Sequence, residues 1–271
     1  QDDANLDAVV IATPAKTHYE LAKAALSANK HVLVEKPLAL TSDECKELIR
    51  LSEKHKKVLM VGHTFEYNAA VNKVKEYIDK KELGKLYYIY SQRLNLGRVR
   101  HDINAMWNFA PHDISIILYW LGKKPLKVSA KGFTYLQRNI ADVAFMILEF
   151  SEGIRAHIHI SWLDPNKTRT MTVVGSDKMV VYDDVSTSSK IKLYDKGFVK
   201  NHRKESFGEF DSFGEFQLIQ RAGNLIIPKL DFIEPLHVEC SHFIECIKTG
   251  KKPLTDGRDG LNVVRVLEAA Q

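Results

Sequence analysis

Two side chains of this sequence stand where proton chemistry is possible. Lys36 follows Glu35 and precedes Pro37, at the end of the apolar run His31-Val32-Leu33-Val34. A lysine at the end of a buried strand, just before a proline, points to a functional role; the alternative is a solvated loop lysine. His112, within Pro111-His112-Asp113, carries an imidazole that titrates near neutral pH. Its alternative is an exposed helix start. Ahead of it lie Arg93, Arg98, Arg100, His101 and Trp107. Arginine forks suit phosphates and carboxylates, and a tryptophan can stack on a sugar ring or base. The same arginines could instead line the outer face of a sheet or an oligomer contact.

The elements that must hold these residues emerge from hydrophobic periodicity. Asp7-Ala8-Val9-Val10-Ile11-Ala12 is a short continuous apolar run, as expected of a strand buried on both faces. Thr13-Pro14 ends it, and residues 18–29 read as an amphipathic helix. Residues 31–34 form a second buried strand. Thr41 or Ser42 can cap the following helix, and Val58-Leu59-Met60-Val61 is a third buried strand. Strand, helix, strand, helix, strand is a parallel α/β unit. After Gly62 the pattern changes. A helix is expected over residues 68–83 and a strand over 86–94. A helix from near Pro111 to Leu121 should end at Gly122. Strands over 128–136, 143–150, 155–162, 169–174, 179–182 and 191–194, with short turns between, imply an antiparallel sheet. Residues 196–230 are weakly patterned, reading as loop with irregular helix. Helices over 237–248 and 260–270 close the chain.

The fold class is therefore α/β plus α+β. An incomplete Rossmann-type domain over residues 1–64 precedes a domain over 65–271 with a large, mostly antiparallel sheet flanked by helices. The 271 residues suffice for two modest cores. Hydrophobic residues at 45% and charged residues at 27% argue against disorder. The formal charge of +5 comes from lysines and arginines spread along the chain, with no block suited to nucleic acid or a membrane surface. No apolar stretch approaches a membrane span. Cys45, Cys240 and Cys246 never form a CxxC spacing and read as reduced thiols of a cytoplasmic protein. No metal site is expected. A dinucleotide-binding sheet normally opens with a GxGxxG turn, and none occurs here. A chain truncated at its N-terminus is the expected reason.

Four landmarks in register carry a family resemblance. Asp7-Ala8-Val9-Val10-Ile11-Ala12-Thr13-Pro14, with His18 following, resembles the fourth strand and loop of the Gfo/Idh/MocA (glucose–fructose oxidoreductase/inositol dehydrogenase) family. Lys30-His31-Val32-Leu33-Val34-Glu35-Lys36-Pro37 is similar to its signature, in which E-K-P ends the fifth strand. His112 falls where that family places a catalytic histidine in a D-x-x-x-H pattern. Pro235-Leu236-His237-Val238-Glu239 and Lys252-Pro253-Leu254-Thr255-Asp256-Gly257 resemble its closing segments.

The resemblance implies NAD or NADP as cofactor, and hydride transfer to or from a hydroxyl or keto carbon of a sugar, polyol or sugar nucleotide. It implies that Lys36 and His112 are catalytic, and that Thr13, Pro14, His18, Glu35, Lys36 and Pro37 line the cofactor side of the cleft. A surface or helix-capping role for His18 is nearly as plausible. The Lys36–Pro37 bond is commonly cis in the family. Arg93, Arg98, Trp107 and His112 are the expected substrate contacts, for a UDP-sugar or its uronate. A homodimer or homotetramer is expected from the exposed sheet face. An NAD-dependent glycosidase and a non-enzymatic NAD(P)-sensing regulator, both known on this fold, are the rival readings.

Two positions depart from the family pattern. The acidic residue four before the histidine is Asn108, an amide that can orient His112 without a stabilising charge. Because Pro111 favours the first turn of a helix, Asn108 could also lie in the preceding loop. Relatives often carry an arginine after the sixth strand, where this chain reads Gly62-His63-Thr64-Phe65.

Overall fold

In the computed structural model, residues 5–97, 99–198, 220–221 and 223–271 are described. The first sixty residues form the expected parallel unit. Strands β1 (Ala8–Ile11), β2 (His31–Glu35) and β3 (Leu59–Gly62) pair in that order, with Val9 beside Val32 and Val32 beside Leu59. Helix α1 (His18–Ser27) follows β1, and α2 (Ser42–His55) follows β2. Thr41 caps α2: its hydroxyl accepts from the Glu44 amide while the Glu44 carboxylate accepts from the Thr41 amide. Val32, Val34, Leu26 and Leu48 are fully buried between these layers. Val10 on β1 is 64% exposed, so the run read as buried on both faces is open on one.

The larger sheet has the order β13-β10-β9-β8-β4-β7-β6-β5. Its principal strands are β4 (Leu86–Leu94), β5 (Lys127–Phe133), β6 (Val143–Glu149), β7 (Arg155–Ser161), β8 (Thr168–Gly175), β9 (Met179–Asp183) and β10 (Ile191–Tyr194). It is mixed. β4 lies between β7 and β8, parallel to β7 and antiparallel to β8. Hairpin logic recovers the antiparallel pairs, because their strands are adjacent in sequence. It misses β4, whose two partners both arrive more than sixty residues later. In the weakly patterned stretch, β11 (Gly197–Phe198) pairs with β12 (Gln220–Arg221), and β13 (Leu225–Ile226) closes the sheet edge. The rest of that stretch lies largely outside the described residues.

Alternation along β4 fixes its two faces. Ile89, Ser91 and Arg93 are buried on one side, while Tyr88 and Tyr90 are exposed on the other. The buried face packs against α4 (Ala105–Leu121), a helix covered nearly all round and correspondingly apolar. The helix expected to begin near Pro111 therefore starts two turns earlier, at the cap Asn104, whose side chain accepts from the Trp107 amide. Pro111 sits inside it. An interior proline costs about 3 kcal/mol, which a helix this deeply packed can offset. The far end behaves as read: Gly122 takes the left-handed conformation at φ 61°. Helix α3 (Ala69–Asp79) is shorter than its pattern, and its chain leaves through a turn ending at Gly84.

The closing helices α5 (Pro235–Thr249) and α6 (Gly257–Ala270) return to the first sheet. Thr255 donates its hydroxyl to the Val61 carbonyl at 2.7 Å, and the Val61 amide donates to the Thr255 carbonyl at 2.8 Å. A Cβ on Gly260 would lie 2.7 Å from Val61 Cγ2, so only glycine lets α6 approach this closely.

Candidate active site

Lys36 and His112 converge on one stretch of α4. The Lys36–Pro37 bond is cis, and the Lys36 amine donates to the Asn108 backbone carbonyl at 2.9 Å. Helical carbonyls point toward the C-terminus, and His112 is four residues further along, about 6 Å of rise. Asn108 thus acts through its backbone and not through its amide. The expected amide bond to His112 is not made: His112 Nδ1 is buried without a hydrogen-bond partner.

Both groups titrate away from their ordinary values. Burial pulls Lys36 down to about 8; the Glu35 carboxylate opposes this, while Arg93 and Arg100 add to it. Burial also holds His112 well below the usual imidazole range, reinforced by the positive charges of Lys36, Arg93, His63 and Arg169. His112 is therefore neutral at physiological pH.

The His112 ring is set by packing. Phe65 meets it edge-on with centroids 5.1 Å apart, and the Arg93 guanidinium lies 4.9 Å from the Phe65 centroid. Arg93 is 4% exposed and does not face an open cleft. Its Nε and Nη2 donate to Asp113 at 2.7 and 3.2 Å, and Ser91 donates to the same carboxylate at 2.8 Å. Strand alternation sends residues 91 and 93 inward, where Asp113 needs a counter-charge. Arg93 therefore clamps α4 to the sheet, and the expectation of direct substrate contact gives way to that role.

The other sequence candidates divide. His18 is buried, and its ring nitrogens lie 2.7 Å from the Pro37 carbonyl and 2.8 Å from the Thr13 carbonyl. It is neither a surface residue nor a cap, and it ties the loops after β1 and β2 together. Thr13 and Pro14 are exposed at the end of β1, and Glu35 accepts from the Lys36 amide at 3.3 Å. Arg100 pairs with Asp102 through two bonds of 2.9 and 2.7 Å at the surface. Arg98 lies outside the described residues. Trp107 is buried and donates its indole N–H to the Gln271 side chain. Five residues along a helix are about 140° apart, which turns Trp107 away from the side carrying His112.

One buried cluster behind the site escaped the sequence reading. His63 Nδ1 lies 2.7 Å from Asp259 on α6 and 3.7 Å from Glu66. The three ligand-type atoms fall within 4.8 Å of one another, and the His63–Asp259 ion pair accounts for their approach. Thr64 donates to Glu239 on α5 at 2.8 Å. These bonds bolt the turn at residues 64–67, and with it Phe65, to both closing helices. Burial works against charge on His63, yet the hydrogen bond it donates to Asp259 and the nearby Glu66 carboxyl raise its pKa to about 10. Burial raises Glu66 as well. Groups whose pKa is raised on folding stabilise most below their unfolded value and lose that contribution as pH climbs through the folded one. Through His63 the melting temperature should fall between pH 7 and pH 10, opposed in part above pH 8 by Lys36, whose lowered pKa has the reverse sign. Asp259→Asn should flatten this slope, as a thermal-melt series in buffers of rising pH would reveal; an unchanged slope would remove His63 from the account.

Residues 1–63 match the oxidoreductase family with an NAD-binding Rossmann fold, and residues 71–181 match the GFO/IDH/MocA C-terminal domain. UDP-N-acetylglucosamine 3-dehydrogenase of Acidithiobacillus ferrooxidans is 28% identical over 195 residues, 72% of this chain and 60% of that protein. That sequence match thus spans less than two thirds of the enzyme's length. A solved structure of the same enzyme superposes with a TM-score of 0.78 at 24% identity, over 97% of this chain and 77% of the other. The scyllo-inositol 2-dehydrogenase (NAD(+)) of Bacillus subtilis is 25% identical over 269 residues, 95% of this chain and 72% of that protein. No helix among the described residues is long and apolar enough to cross a membrane. With the family's N-terminal and C-terminal domains both matched in order, over residues that include Lys36 and His112, the chain belongs to the Gfo/Idh/MocA oxidoreductase family.

Proposed function

We propose that the protein is an NAD(P)-dependent dehydrogenase acting on a secondary hydroxyl of a sugar, polyol or sugar nucleotide. The observation that carries this reading is the Lys36 amine on the Asn108 carbonyl, one turn below a half-buried, neutral His112. The residues fit a dinucleotide. Thr13 and Pro14 are exposed at the carboxyl end of β1 beside the Glu35-Lys36-Pro37 turn, where parallel α/β sheets bind such ligands. His18 would brace both loops against it. A nicotinamide held there supplies or accepts the hydride.

The chain's own residues handle the proton. Moving a substrate proton onto His112 is uphill, because its cationic form is suppressed by burial and by four neighbouring charges. Lys36 is better matched to neutral or mildly basic solution. In the oxidative direction the neutral Lys36 amine takes the hydroxyl proton while the carbon gives up hydride. In reduction the ammonium returns it. His112 hydrogen-bonds the same oxygen and fixes its direction.

We further propose a division near residue 64 into a dinucleotide-binding part and a substrate part. The sheet face bearing Tyr88, Tyr90, Phe145 and Ile147, all exposed, suits burial in a homodimer or homotetramer. The three free thiols suit a cytoplasmic protein. Turnover assays with NAD or NADP against UDP-sugars, UDP-uronates and inositols test the function. Net cofactor conversion is expected with at least one of them. Turnover without net conversion would favour the glycosidase chemistry instead, and ligand binding without turnover would favour a regulator.

A further inference from the structure

The active-site face of the large sheet carries a second arginine that the proton chemistry does not use. Arg169 on β8 is paired directly with Arg93 on β4. Directly opposed residues of antiparallel strands project to the same side. Arg93 reaches Asp113 on α4, so Arg169 also lies on the face that α4 covers. Its charge is among those acting on His112.

The two guanidinium groups are partnered differently. Arg93 is matched by a two-point carboxylate. Arg169 makes one long bond, from Nη1 to Asp184 at 3.4 Å, and its Nε is buried with no partner. Asp184 is itself shared: its Oδ1 accepts from the Tyr182 hydroxyl at 3.0 Å and lies 4.0 Å from the Lys190 amine. Trp162, two residues beyond the Ile160 that pairs with Arg93, falls on the same face, and its Nε1 is also buried without a partner. Donors here outnumber acceptors. A buried donor left unmade is costly, and a functional site is where one persists, awaiting a ligand acceptor. Arg93 and Arg100, whose charges act on Lys36, each have their own carboxylate. Arg169 is the guanidinium with donors to spare.

Resting on the dehydrogenase reading above, we propose that Arg169 is a specificity-determining residue that receives an anionic oxygen group of the substrate, selecting a charged sugar over a neutral polyol. A carboxylate and a phosphate offer the same oxygen geometry to a guanidinium. The first would come from a uronate and the second from the diphosphate of a sugar nucleotide.

Arg169→Gln and Arg169→Lys in the full-length protein test this, with circular dichroism checking the fold. Arg169→Gln should raise KM for the anionic substrate about 10- to 100-fold, the range of a charge-assisted hydrogen bond. Turnover at saturation should stay within a few-fold, KM for inositol should hardly move, and Arg169→Lys should be intermediate. A loss confined to a UDP-uronate, sparing the neutral UDP-sugar, identifies the carboxylate. An equal loss for both identifies the diphosphate. Equal KM changes for inositol and the charged substrates, or none, overturn the proposal. Should the wild type turn over none of them, the dehydrogenase reading fails by itself. Calorimetry of UDP and of glucuronate against wild type and Arg169→Gln then decides the anion site separately: affinity for one of them lost in the variant supports it, and identical affinities end it.

Discussion

Replacing Lys36 with Met should lower turnover by roughly 10²–10⁴-fold, the usual worth of a positioned proton-transfer group. KM should move little, since the reacting oxygen is the one substrate atom the amine is proposed to meet. The fold should survive, because the amine is half-buried at a cost and methionine fills similar space. The wild-type pH profile carries the sharper test. With Lys36 titrating near 8, alcohol oxidation needs the free amine and should rise through about pH 8 before levelling. Reduction needs the ammonium and should fall over the same interval. His112, held well below its ordinary range, should contribute no limb between pH 7 and pH 9. A limb near pH 8 that persists in the residual activity of Lys36→Met would assign the proton to another group.

Asp113→Ala should be the most destabilising single substitution near the site. It leaves the Arg93 guanidinium buried against Phe65 without a counter-ion, and breaking one half of a buried pair costs about 3–5 kcal/mol. For a chain of this size that is a drop in Tm of roughly 6–20 °C. Replacing both partners with leucine should cost less than replacing Asp113 alone, because the uncompensated charge disappears with its partner. Thermal melts of the two single variants and the double variant read this directly. A double variant as unstable as Asp113→Ala would mean that packing, and not charge, holds α4 in place.

Much of this was readable from local patterns. The three parallel strands are uninterrupted apolar runs, Thr41 and Gly122 mark helix ends, and Lys36 stands out at the end of such a run. The start of α4 was obscured by a contest between two rules. Pro111 favours a first turn, whereas Asn104 offers a cap seven residues earlier, and deep burial on both sides of the helix settled it for Asn104. Arg93 illustrates a different loss. Its inward direction follows from β4's alternation, with Tyr88 and Tyr90 outward. Its partner Asp113 was the signal, as a lone acid in an otherwise apolar stretch. Arg169 and His63 acquire meaning only when β8 meets β4 and α6 meets β3, through pairings too distant in sequence for any periodicity to register.

The bond from Thr255 to Val61 joins residues 194 positions apart. Until the ribosome has delivered α6, the inner faces of Leu59 and Val61 lack their cover. The sheet of β1 to β3 is thus sealed only after the whole of the larger sheet has been made, and such long-range closure slows folding. Until then those strands depend on whatever shields nascent apolar surface, and a product released before Thr255 would expose the very layer that carries Lys36.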